Sequence, residues 1–324
     1  MRCSMKVFKF LIPFLLSLSL VSPHMAMAKE TFPTKPITII VPYAPGGSLD
    51  IAARALSPYM GQYLKTSIII SNLPGAGGAI GTAKTFAAKP DGYTLVCWYT
   101  LPPLLEEYKH KVPYRTLEFT PVAGISRDYP ILVGHPEVIS TIGEFLKQAK
   151  ERKIAIGNNG PFSITGLQIR LMALELGLKI NWVNYGGAAE SLASLAGKHL
   201  DAVATMTESA MPMVRAGKLV PLLIFAEKRH PKFPSTPVPQ ELGMRFSLIS
   251  AYLALAGPPR IPEERVVILE KAVKYAVNHP DYVAWREKMS TAAPSFAGAN
   301  LYGKEMERMA QIAEAYKDIL TPEK

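Results

Sequence analysis

The fold is decided by residues 37–56, which read ITIIVPYAPGGSLDIAARAL. The segment Ile37–Tyr43 is apolar and rich in β-branched residues, which is typical of a buried strand. The glycine turn Ala44–Gly47 follows it, and apolar residues then recur at helical spacing as far as Met60. A buried strand that passes through a glycine turn into a helix is the first half of a βαβ unit.

The same order of elements repeats along the chain. Strands are predicted at Ser67–Ser71 and Tyr93–Thr100, with a helix near Ile80–Ala88 between them. After Pro121 the pattern starts again and continues to Phe225. Strands that alternate with helices predict an α/β fold built on parallel sheets, and two such series predict two units.

Helix ends are also marked in the second series. Thr141 and Glu144 have the spacing of a capping box, which predicts a helix to about Arg152. Three later helices are predicted to stop at Gly177, Gly197 and Gly217, where glycine C-caps are expected. A Pro-rich segment precedes a last predicted strand, Leu248–Ala256, and the chain ends in helices.

Composition excludes several classes of protein. The 324 residues include 36 Lys and Arg against 26 Asp and Glu, and 48% of the residues are hydrophobic. Such a chain is neither disordered nor collagen-like. The two cysteines, Cys3 and Cys97, cannot form a disulfide framework or a multi-cysteine zinc site, and Cys97 is expected to be a buried structural residue.

The N-terminus has the pattern of a secretory signal peptide. Arg2, Lys6 and Lys9 precede the apolar run Phe10–Val21, and Ala26-Met27-Ala28 is a small-residue cleavage signal. The apolar run is too short for a spanning helix, which needs about 20 residues. Residues 1–28 are therefore expected to be removed from an exported protein.

Glycine-rich loops are the candidate binding elements. They occupy residues 43–50, 72–78 and 157–166, each where a predicted strand passes into a helix. Backbone amides and the positive end of a helix dipole favour an anion at such a position. The net charge of +10 agrees with an anionic ligand, although nucleic acid would also suit it.

Catalytic and cofactor motifs are not found. The sequence contains no H-E-x-x-H and no G-x-S-x-G, and no base is visible for Ser48. Gly75, Gly77 and Gly81 are spaced as G-x-G-x-x-x-G, which is not the dinucleotide fingerprint. No cofactor, metal or enzymatic activity is therefore expected. An exported hydrolase or isomerase that uses Ser48 or Asp50 on small anions is the alternative from another class.

Several segments together resemble the periplasmic solute-binding proteins of tripartite tricarboxylate transporters, the Bug family. They are KPITIIVPYAPGGSLDIAARAL, NLPGAGGAIGTAK, KPDGYTLV, VPYRTLEFTPVAGI and RAGKLVPLLIFAEKRHPKFPSTPVPQELGM. The resemblance covers essentially the whole chain after residue 28. It implies a Venus-flytrap fold of two α/β lobes joined by crossing strands, with lobe 1 at 29–124 and 251–324 and lobe 2 at 125–250.

The resemblance also implies the site. Lobe 1 would bind a carboxylate through Ala44, Gly46, Gly47, Ser48, Asp50, Gly75, Ala76, Gly77 and Thr100. Lobe 2 would bind the distal end of the ligand through Asn158, Asn159, Ser163, Thr165, Tyr185, Gly186, Gly187, Thr205 and Thr207.

The sequence departs from the family pattern in lobe 2. The family usually has His where Gly166 stands, Lys or a similar residue at Gly186, and Asp or Asn near Thr205. We therefore expect a ligand that is larger or more apolar at its distal end, such as an aromatic carboxylate, with Trp98 and Phe162 as candidate pocket walls. Core aromatics are the alternative interpretation of these two residues.

The function implied by the resemblance is binding. A monomeric periplasmic protein would capture a mono-, di- or tricarboxylate and deliver it to the permease subunits in the membrane, with no nucleic acid involved. A sensory subunit that presents the same ligand to a membrane receptor would have the same fold and site, so it stays open as an alternative.

Overall fold

The computed structural model describes residues 31–46, 48–158, 163–185, 187–249, 251–288 and 294–320. The predicted signal peptide lies outside these ranges. Among the described residues, no helix has the length and apolar character needed to span a membrane.

The first part of the chain builds one sheet. Its elements are β1 Ile37–Val41, α1 Ser48–Leu64, β2 Ile68–Asn72, a 3-10 turn Ala76–Gly78, α2 Ala79–Phe86, β3 Thr94–Tyr99, α3 Leu101–Lys109, a 3-10 turn Thr116–Glu118 and β4 Thr120–Asp128. The second sheet follows, with β5 Pro130–Gly134, α4 Ile142–Glu151, β6 Ile154–Asn158, α5 Ile164–Leu176, β7 Ile180–Asn184, α6 Ala188–Ala196, β8 Ala202–Met206, α7 Thr207–Arg215 and β9 Val220–Ile224.

After a 3-10 turn at Pro239–Leu242 the chain returns to the first sheet. The returning elements are β10 Ala251–Gly257, α8 Glu263–Val277, α9 Pro280–Lys288, β11 Pro294–Gly298, α10 Ala299–Ala315 and α11 Lys317–Leu320. The strand order is β11-β4-β10-β3-β1-β2 in the first sheet and β7-β6-β8-β5-β9 in the second.

The sheets are mixed rather than wholly parallel. In the first sheet β1 is parallel to β2 and β3, but β10 is antiparallel to β3 and β4. In the second sheet β6 is parallel to β7 and β8, but β5 is antiparallel to β8 and β9. The antiparallel pairs of β5 and β10 arise because each of these strands starts at the edge where its neighbours end. β5 follows β4 after one residue, whereas residues 225–250 separate β9 from β10.

The change of sheet comes at Tyr129, between β4 and β5. The expected lobe boundary after Gly124 lies inside β4, which remains paired with β10 as far as Asp128. The apolar pattern of β4 weakens at Ser126 and Arg127 although its ladder with β10 continues, and the lobe limits stay a prediction.

The return to the first sheet also differs from the prediction. The strand expected from Leu248 begins at Ala251. Before it, the side chain of Gln168 in α5 bonds to the carbonyl of Ser247 at 3.1 Å and to the amide of Ile249 at 2.6 Å. Arg308 of α10 donates to the carbonyl of Leu248 at 2.7 Å. Side chains therefore satisfy backbone groups that a strand would have paired.

The two faces of β3 show how the first sheet is packed. Leu95 and Cys97 face the cluster formed with α1 and α8, whereas Val96 and Trp98 face the cluster formed with α10. Cys97 is buried, and burial raises the pKa of its thiol to about 12. The expectation of a buried structural cysteine is confirmed.

A separate apolar cluster joins helices of both sheets, and we call it the leucine cluster. It contains Leu101, Leu104 and Leu105 of α3, Leu167 and Leu171 of α5, Ile249, and Met309, Ile312 and Ala313 of α10. The helices that begin after β3 and after β6 thus contribute side chains to one cluster.

Helix ends follow the predicted chemistry with one exception. Thr141 accepts a hydrogen bond from the amide of Glu144, as in a capping box. Gly177 and Gly217 are left-handed, with φ of 63° and 66°. Gly197 has φ of −80° instead, and the left-handed residue there is Lys198.

Candidate functional site

The carboxyl ends of β1, β2 and β3 lie side by side at one edge of the first sheet. Val41 pairs with Asn72 between β1 and β2, and Ile40 pairs with Val96 between β1 and β3. The first glycine loop, residues 42–47, follows β1, and the second glycine loop, residues 73–78, follows β2. Thr100 follows β3. The predicted lobe-1 residues that the structure describes therefore belong to this edge.

The second sheet has an equivalent edge. Asn158 pairs with Asn184 at the ends of β6 and β7, and the parallel strand β8 ends at Met206. Those predicted lobe-2 residues that the structure describes stand at the ends of these strands or in the segments that follow them.

The chain crosses between the sheets at these same edges. Asp128 at the end of β4 pairs with Ala251 at the start of β10, beside the end of β3. Pro130 at the start of β5 pairs with Met206 at the end of β8. The glycine loops of both sheets therefore adjoin the crossing segments. Ligands in α/β proteins bind outside the carboxyl ends of strands, so this region is the candidate site.

Asp50 fixes the first glycine loop. Its side chain is only 4% exposed, accepts a hydrogen bond from the amide of Gly46 at 2.9 Å, and forms an ion pair with Arg54, whose Nε lies 2.9 Å from Oδ1. Burial would raise the pKa of Asp50, but the bonds from Arg54 and Gly46 outweigh it and hold the pKa below its ordinary value. The carboxylate thus contacts the loop through the amide of Gly46. Ala44 and Gly46 themselves are exposed residues.

The second glycine loop turns sharply through left-handed residues. Gly75, Ala76, Gly77 and Gly78 have φ values of 130°, 46°, 63° and 99°. The first three residues are exposed, so the backbone of the loop is open to a ligand.

Two side chains lie against this second loop. The hydroxyl of Tyr43 donates to the carbonyl of Gly77 at 3.3 Å. A Cβ atom on Gly77 would lie 2.9 Å from Oε1 of Glu106, a residue of α3. Burial, and secondarily the charge of Glu106, raises the pKa of Tyr43. Glu106 brings a negative charge to the loop, which the sequence pattern did not indicate.

The residues at the end of β3 turn into the core. Nε1 of Trp98 donates to the hydroxyl of Tyr302 at 2.8 Å, and the hydroxyl of Thr100 lies 3.1 Å from the same atom. Trp98 is 1% exposed and packs on Phe119 with ring centroids 4.6 Å apart. Trp98 is therefore buried in this structure, in agreement with the interpretation as a core aromatic, and its role as a pocket wall stays a prediction.

In the second sheet, Ser163 and Thr165 form the start of α5. Ser163 accepts a hydrogen bond from the amide of Gly166 at 3.0 Å and lies 3.1 Å from the hydroxyl of Thr165. Asn158, at the end of β6, is buried, and its carbonyl accepts from the amide of Tyr185 at 2.9 Å. The structure thus brings Asn158 and Tyr185 together.

Neighbouring residues begin α6. The hydroxyl of Tyr185 lies 2.8 Å from Oγ of Ser194, within α6. Gly187 is the N-cap of the same helix and has an extended backbone, with φ of −171°. Tyr185 and Gly187 therefore adjoin one helix N-terminus.

Thr205 and Thr207 differ in their surroundings. Both are buried at the end of β8. Oγ1 of Thr205 has no hydrogen-bond partner within the described part of the chain. Thr207 instead donates a short hydrogen bond to Asp128, so its hydroxyl is committed to the crossing segment.

Four predicted residues cannot be placed. Gly47, Asn159, Phe162 and Gly186 lie outside the described residues. Ser48 begins α1, and nothing is described of its side chain.

The prediction missed residues that position others. Arg54 stands four residues after Asp50 on α1, a spacing that favours ion pairs and could have indicated it. Arg286 of α9 lies 3.3 Å from Glu208 of α7, an ion pair between elements of different sheets that no local pattern marks.

Metal ions in proteins are held by groups of His, Cys, Asp and Glu side chains. Within the described ranges, no group of three or more His, Cys, Asp and Glu side chains could hold a metal ion. The arrangement instead offers backbone amides, hydroxyls and an amide side chain, which recognise a polar or anionic ligand by hydrogen bonds.

Comparison with known proteins gives a consistent result. The model of the tripartite tricarboxylate transporter receptor family, TctC, matches residues 52–312. A UPF0065 protein from the gbd 5' region of Cupriavidus necator is 32% identical over 266 residues, which are 80% of each chain. Protein BugT of Bordetella pertussis is 30% identical over 257 residues, 78% of this chain and 79% of BugT.

Solved structures share the fold. A TctC solute-binding protein from Polaromonas, solved without ligand, has a TM-score of 0.80 and 27% identity over 89% of this chain and 99% of its own. MatC from Rhodopseudomonas palustris, solved with bound malate, has a TM-score of 0.69 and 24% identity over 89% of this chain and 100% of its own.

An R. palustris protein solved with adipate has a TM-score of 0.72 and 21% identity, over 89% of this chain and 98% of its own. These two structures share the fold with the present chain. The family match and the relatives at 30% and 32% identity show more: the chain belongs to the TctC family of tripartite tricarboxylate transporter receptors.

Proposed function

We propose that this protein is a periplasmic solute-binding receptor that captures a small carboxylate-bearing ligand and delivers it to the permease of a tripartite tricarboxylate-type transporter. One observation carries the proposal: the crossing segments join the two sheet edges that bear the glycine loops. A ligand held by both sets of loops would bridge the sheets, as a transport receptor requires.

The first sheet would hold the carboxylate. Gly46 and Gly75–Gly77 expose their backbones at the starts of α1 and α2, where amides and helix dipoles favour negative charge. The proposed contacts are Ala44, Gly46, Gly47, Ser48, Gly75, Ala76 and Gly77. Asp50 would act through Gly46, because its carboxylate is already bonded to that amide.

The second sheet would bind the distal end of the ligand. The proposed contacts are Asn158, Asn159, Ser163, Thr165, Tyr185, Gly186, Gly187 and Thr205. Thr205 supports this assignment because a buried hydroxyl without a partner is costly and a ligand atom would satisfy it.

The distal pocket would favour a larger or more apolar group than malate. Gly166 and Gly186 supply no side chain, and Thr205 supplies a hydroxyl instead of a charge. A ligand whose distal end carries an aromatic or aliphatic group leaves no buried charge unpaired there. Tight binding of malate with no binding of aromatic carboxylates would contradict this part of the proposal.

Binding would act by shifting a conformational equilibrium. A ligand that contacts both sheets stabilises the arrangement in which both contacts are made, by its difference in affinity for the two states. The permease would recognise that arrangement. The segment 1–28 supports delivery to the periplasm, because its pattern is that of a signal peptide.

A thermal-shift screen tests the proposal. The processed protein, refolded once to remove carried-over ligand, is screened against malate, adipate, citrate, benzoate and 4-hydroxybenzoate. A ligand at about 100 times its Kd adds about 2.7 kcal/mol to the free energy of unfolding, which raises Tm by a few degrees. No shift with any carboxylate would overturn the ligand class.

Two glycine variants locate the site. Gly46 and Gly217 both have positive φ, 80° and 66°, and a Cβ atom on either would have open space around it. Gly46→Ala and Gly217→Ala should therefore cost similar backbone strain. Only Gly46→Ala should weaken binding of the ligand found in the screen, by about tenfold or more. Equal affinities would place the site elsewhere.

A further inference from the structure

We propose that Arg54 is the positioning residue of the first glycine loop, and that its guanidinium holds the loop in the shape that presents amides to the ligand. The assignment of a ligand to this loop rests on the proposed function. The restraint of the loop by Arg54 stands on contacts within the chain and can be measured without a ligand.

The contacts form a closed ring. The amide of Gly46 donates to Oδ2 of Asp50 at 2.9 Å, and Oδ1 of Asp50 forms an ion pair with Arg54, with Nε at 2.9 Å. Nη2 of Arg54 donates to Oδ1 of Asn72 at 2.9 Å. Nδ2 of Asn72 then donates to the carbonyl of Tyr43 at 3.1 Å. The ring begins and ends in one loop, at positions 43 and 46.

Arg54 is the link that joins two separate elements. Asp50 lies in the first turn of α1, whereas Asn72 is the last residue of β2 and leads into the second glycine loop. The guanidinium donates in two directions from one rigid plane, which a lysine ammonium on a flexible stem does not reproduce. A lysine at position 54 would keep the charge and lose the ring.

Such a restraint matters most in the exposed part of the loop. Residues 44–46 are exposed. Gly46 has a positive φ, and a glycine that is not held can adopt many other backbone conformations. Amides that are already oriented bind a ligand more tightly, because less conformational entropy is lost on binding. The ring supplies this order at both ends of the segment.

Arg54→Lys should change global stability little. Asp50 is buried, with its side chain 4% exposed against 52% for Arg54, and a lysine at position 54 keeps a positive charge beside this carboxylate. A positioning role therefore predicts two clear changes in Arg54→Lys, faster hydrogen exchange of the loop amides and weaker ligand binding, with only a small change in Tm. A purely structural role predicts the reverse.

Arg152 provides a matched control. Its side chain is 47% exposed, it bonds to Gln148 four residues earlier on α4, and it bonds to Asp201 with Nη1 at 3.0 Å and Nη2 at 2.6 Å. Asp201 also accepts from a backbone amide, that of Ala155, at 2.7 Å. Arg152→Lys thus breaks a similar fork on the other sheet, in elements that do not include the first and second glycine loops.

Amide hydrogen exchange in the ligand-free processed protein is the first test. In Arg54→Lys, peptides that cover residues 42–50 and 72–80 should exchange faster than in the wild type, by about tenfold at the amide of Gly46. Arg152→Lys should leave these peptides unchanged. Unchanged exchange in Arg54→Lys would overturn the inference whether or not any ligand is known.

Ligand affinity is the second test, with the carboxylates of the screen as probes. Arg54→Lys and Arg54→Gln should lose affinity to the same extent, about tenfold, and adding Asn72→Ala to Arg54→Gln should cause little further loss. Full affinity in Arg54→Lys would mean that charge alone matters and would also overturn the inference. A wild type that binds no probe would refute the proposed ligand class, and the exchange result would still decide the role of Arg54.

Discussion

The buried carboxylate of Asp128, the last residue of β4, accepts a hydrogen bond from the hydroxyl of Thr207, the first residue of α7. The amides of Tyr129 and Glu208 also donate to this carboxylate. A residue of the first sheet thus caps a helix of the second, at the point where the chain crosses between them. Glu208 is paired in turn with Arg286 of α9.

Stability should depend on the protonation of Asp128. Burial, and secondarily the charge of Glu208, raises the pKa of Asp128 to about 7. A raised pKa means that the contribution to stability is complete below the ordinary value of 3.8 and is lost as pH rises through about 7. The wild type should therefore lose stability relative to Asp128→Asn as pH rises from 5 to 7, with a slope of at most about 1.4 kcal/mol per pH unit, and the difference should level off above about pH 7.

Urea unfolding at several pH values measures this difference. Asp201→Asn is the control, because burial is outweighed there by bonds from Arg152 and the amide of Ala155, which lower the pKa of Asp201. Its difference from the wild type should stay constant over the same range. A constant difference for Asp128→Asn would show that Asp128 is ionised throughout and that the raised pKa is wrong.

Gln168→Leu should lower the free energy of unfolding. It is fully buried and bonds to the carbonyl of Ser247 and the amide of Ile249, so Gln168→Leu leaves two buried backbone groups without partners. Each such group costs about 1–3 kcal/mol. Denaturant unfolding should show a loss in that range or above it. Gln240→Leu is the control, because Gln240 is exposed. An equal effect of the two changes would contradict a stabilising role for the bonds of Gln168 to residues 247 and 249.

Trp98→Phe should affect folding and spare the site. The change removes the indole donor to Tyr302 and leaves a small cavity, at a cost of about 1–3 kcal/mol in the free energy of unfolding. Affinity for the carboxylate found in the screen should not change, because Trp98 is buried beneath Phe119 and Tyr302. Normal stability with weakened binding would favour Trp98 as a pocket wall.

Gly81→Ala should disturb the contact between α2 and both glycine loops. A Cβ atom at Gly81 would lie 2.8 Å from the carbonyl oxygen of Leu73 and 2.9 Å from Cα of Pro42. Such overpacking costs about 1–3 kcal/mol. Gly143 of α4 has open space, so Gly143→Ala should be neutral or stabilising by up to about 1 kcal/mol. Thermal unfolding compares them, and equal Tm values would contradict this prediction.

Local patterns predicted much of the architecture. The strand, glycine loop and helix over residues 37–64 are present, and so are the Thr141 cap and two of the three left-handed glycines. Each of these features is encoded within a few residues. The resemblance to the family added the two-sheet arrangement, which the structural similarity confirms. The assignment of the site residues stays a prediction.

Long-range contacts could not be predicted from local sequence patterns. The helix at Leu101–Lys109 contains Pro102 and Pro103 in its first turn and follows a strand directly, so its pattern did not indicate a helix. The partnership of Trp98 with Tyr302 spans 204 residues, and no local spacing marks it. The clamp by Gln168 likewise joins segments 79 and 81 residues apart.

The leucine cluster limits how the two halves of this receptor can move. Leu101, Leu104 and Leu105 of α3 lie in the same cluster as Leu167 and Leu171 of α5, each helix starting at its own binding edge. Pulling these helices apart would expose leucine side chains to water, at about 25 cal/mol for each Å² of apolar surface. A movement that keeps these side chains inside the cluster avoids most of that cost, so we expect the cluster to resist the separation of α3 from α5.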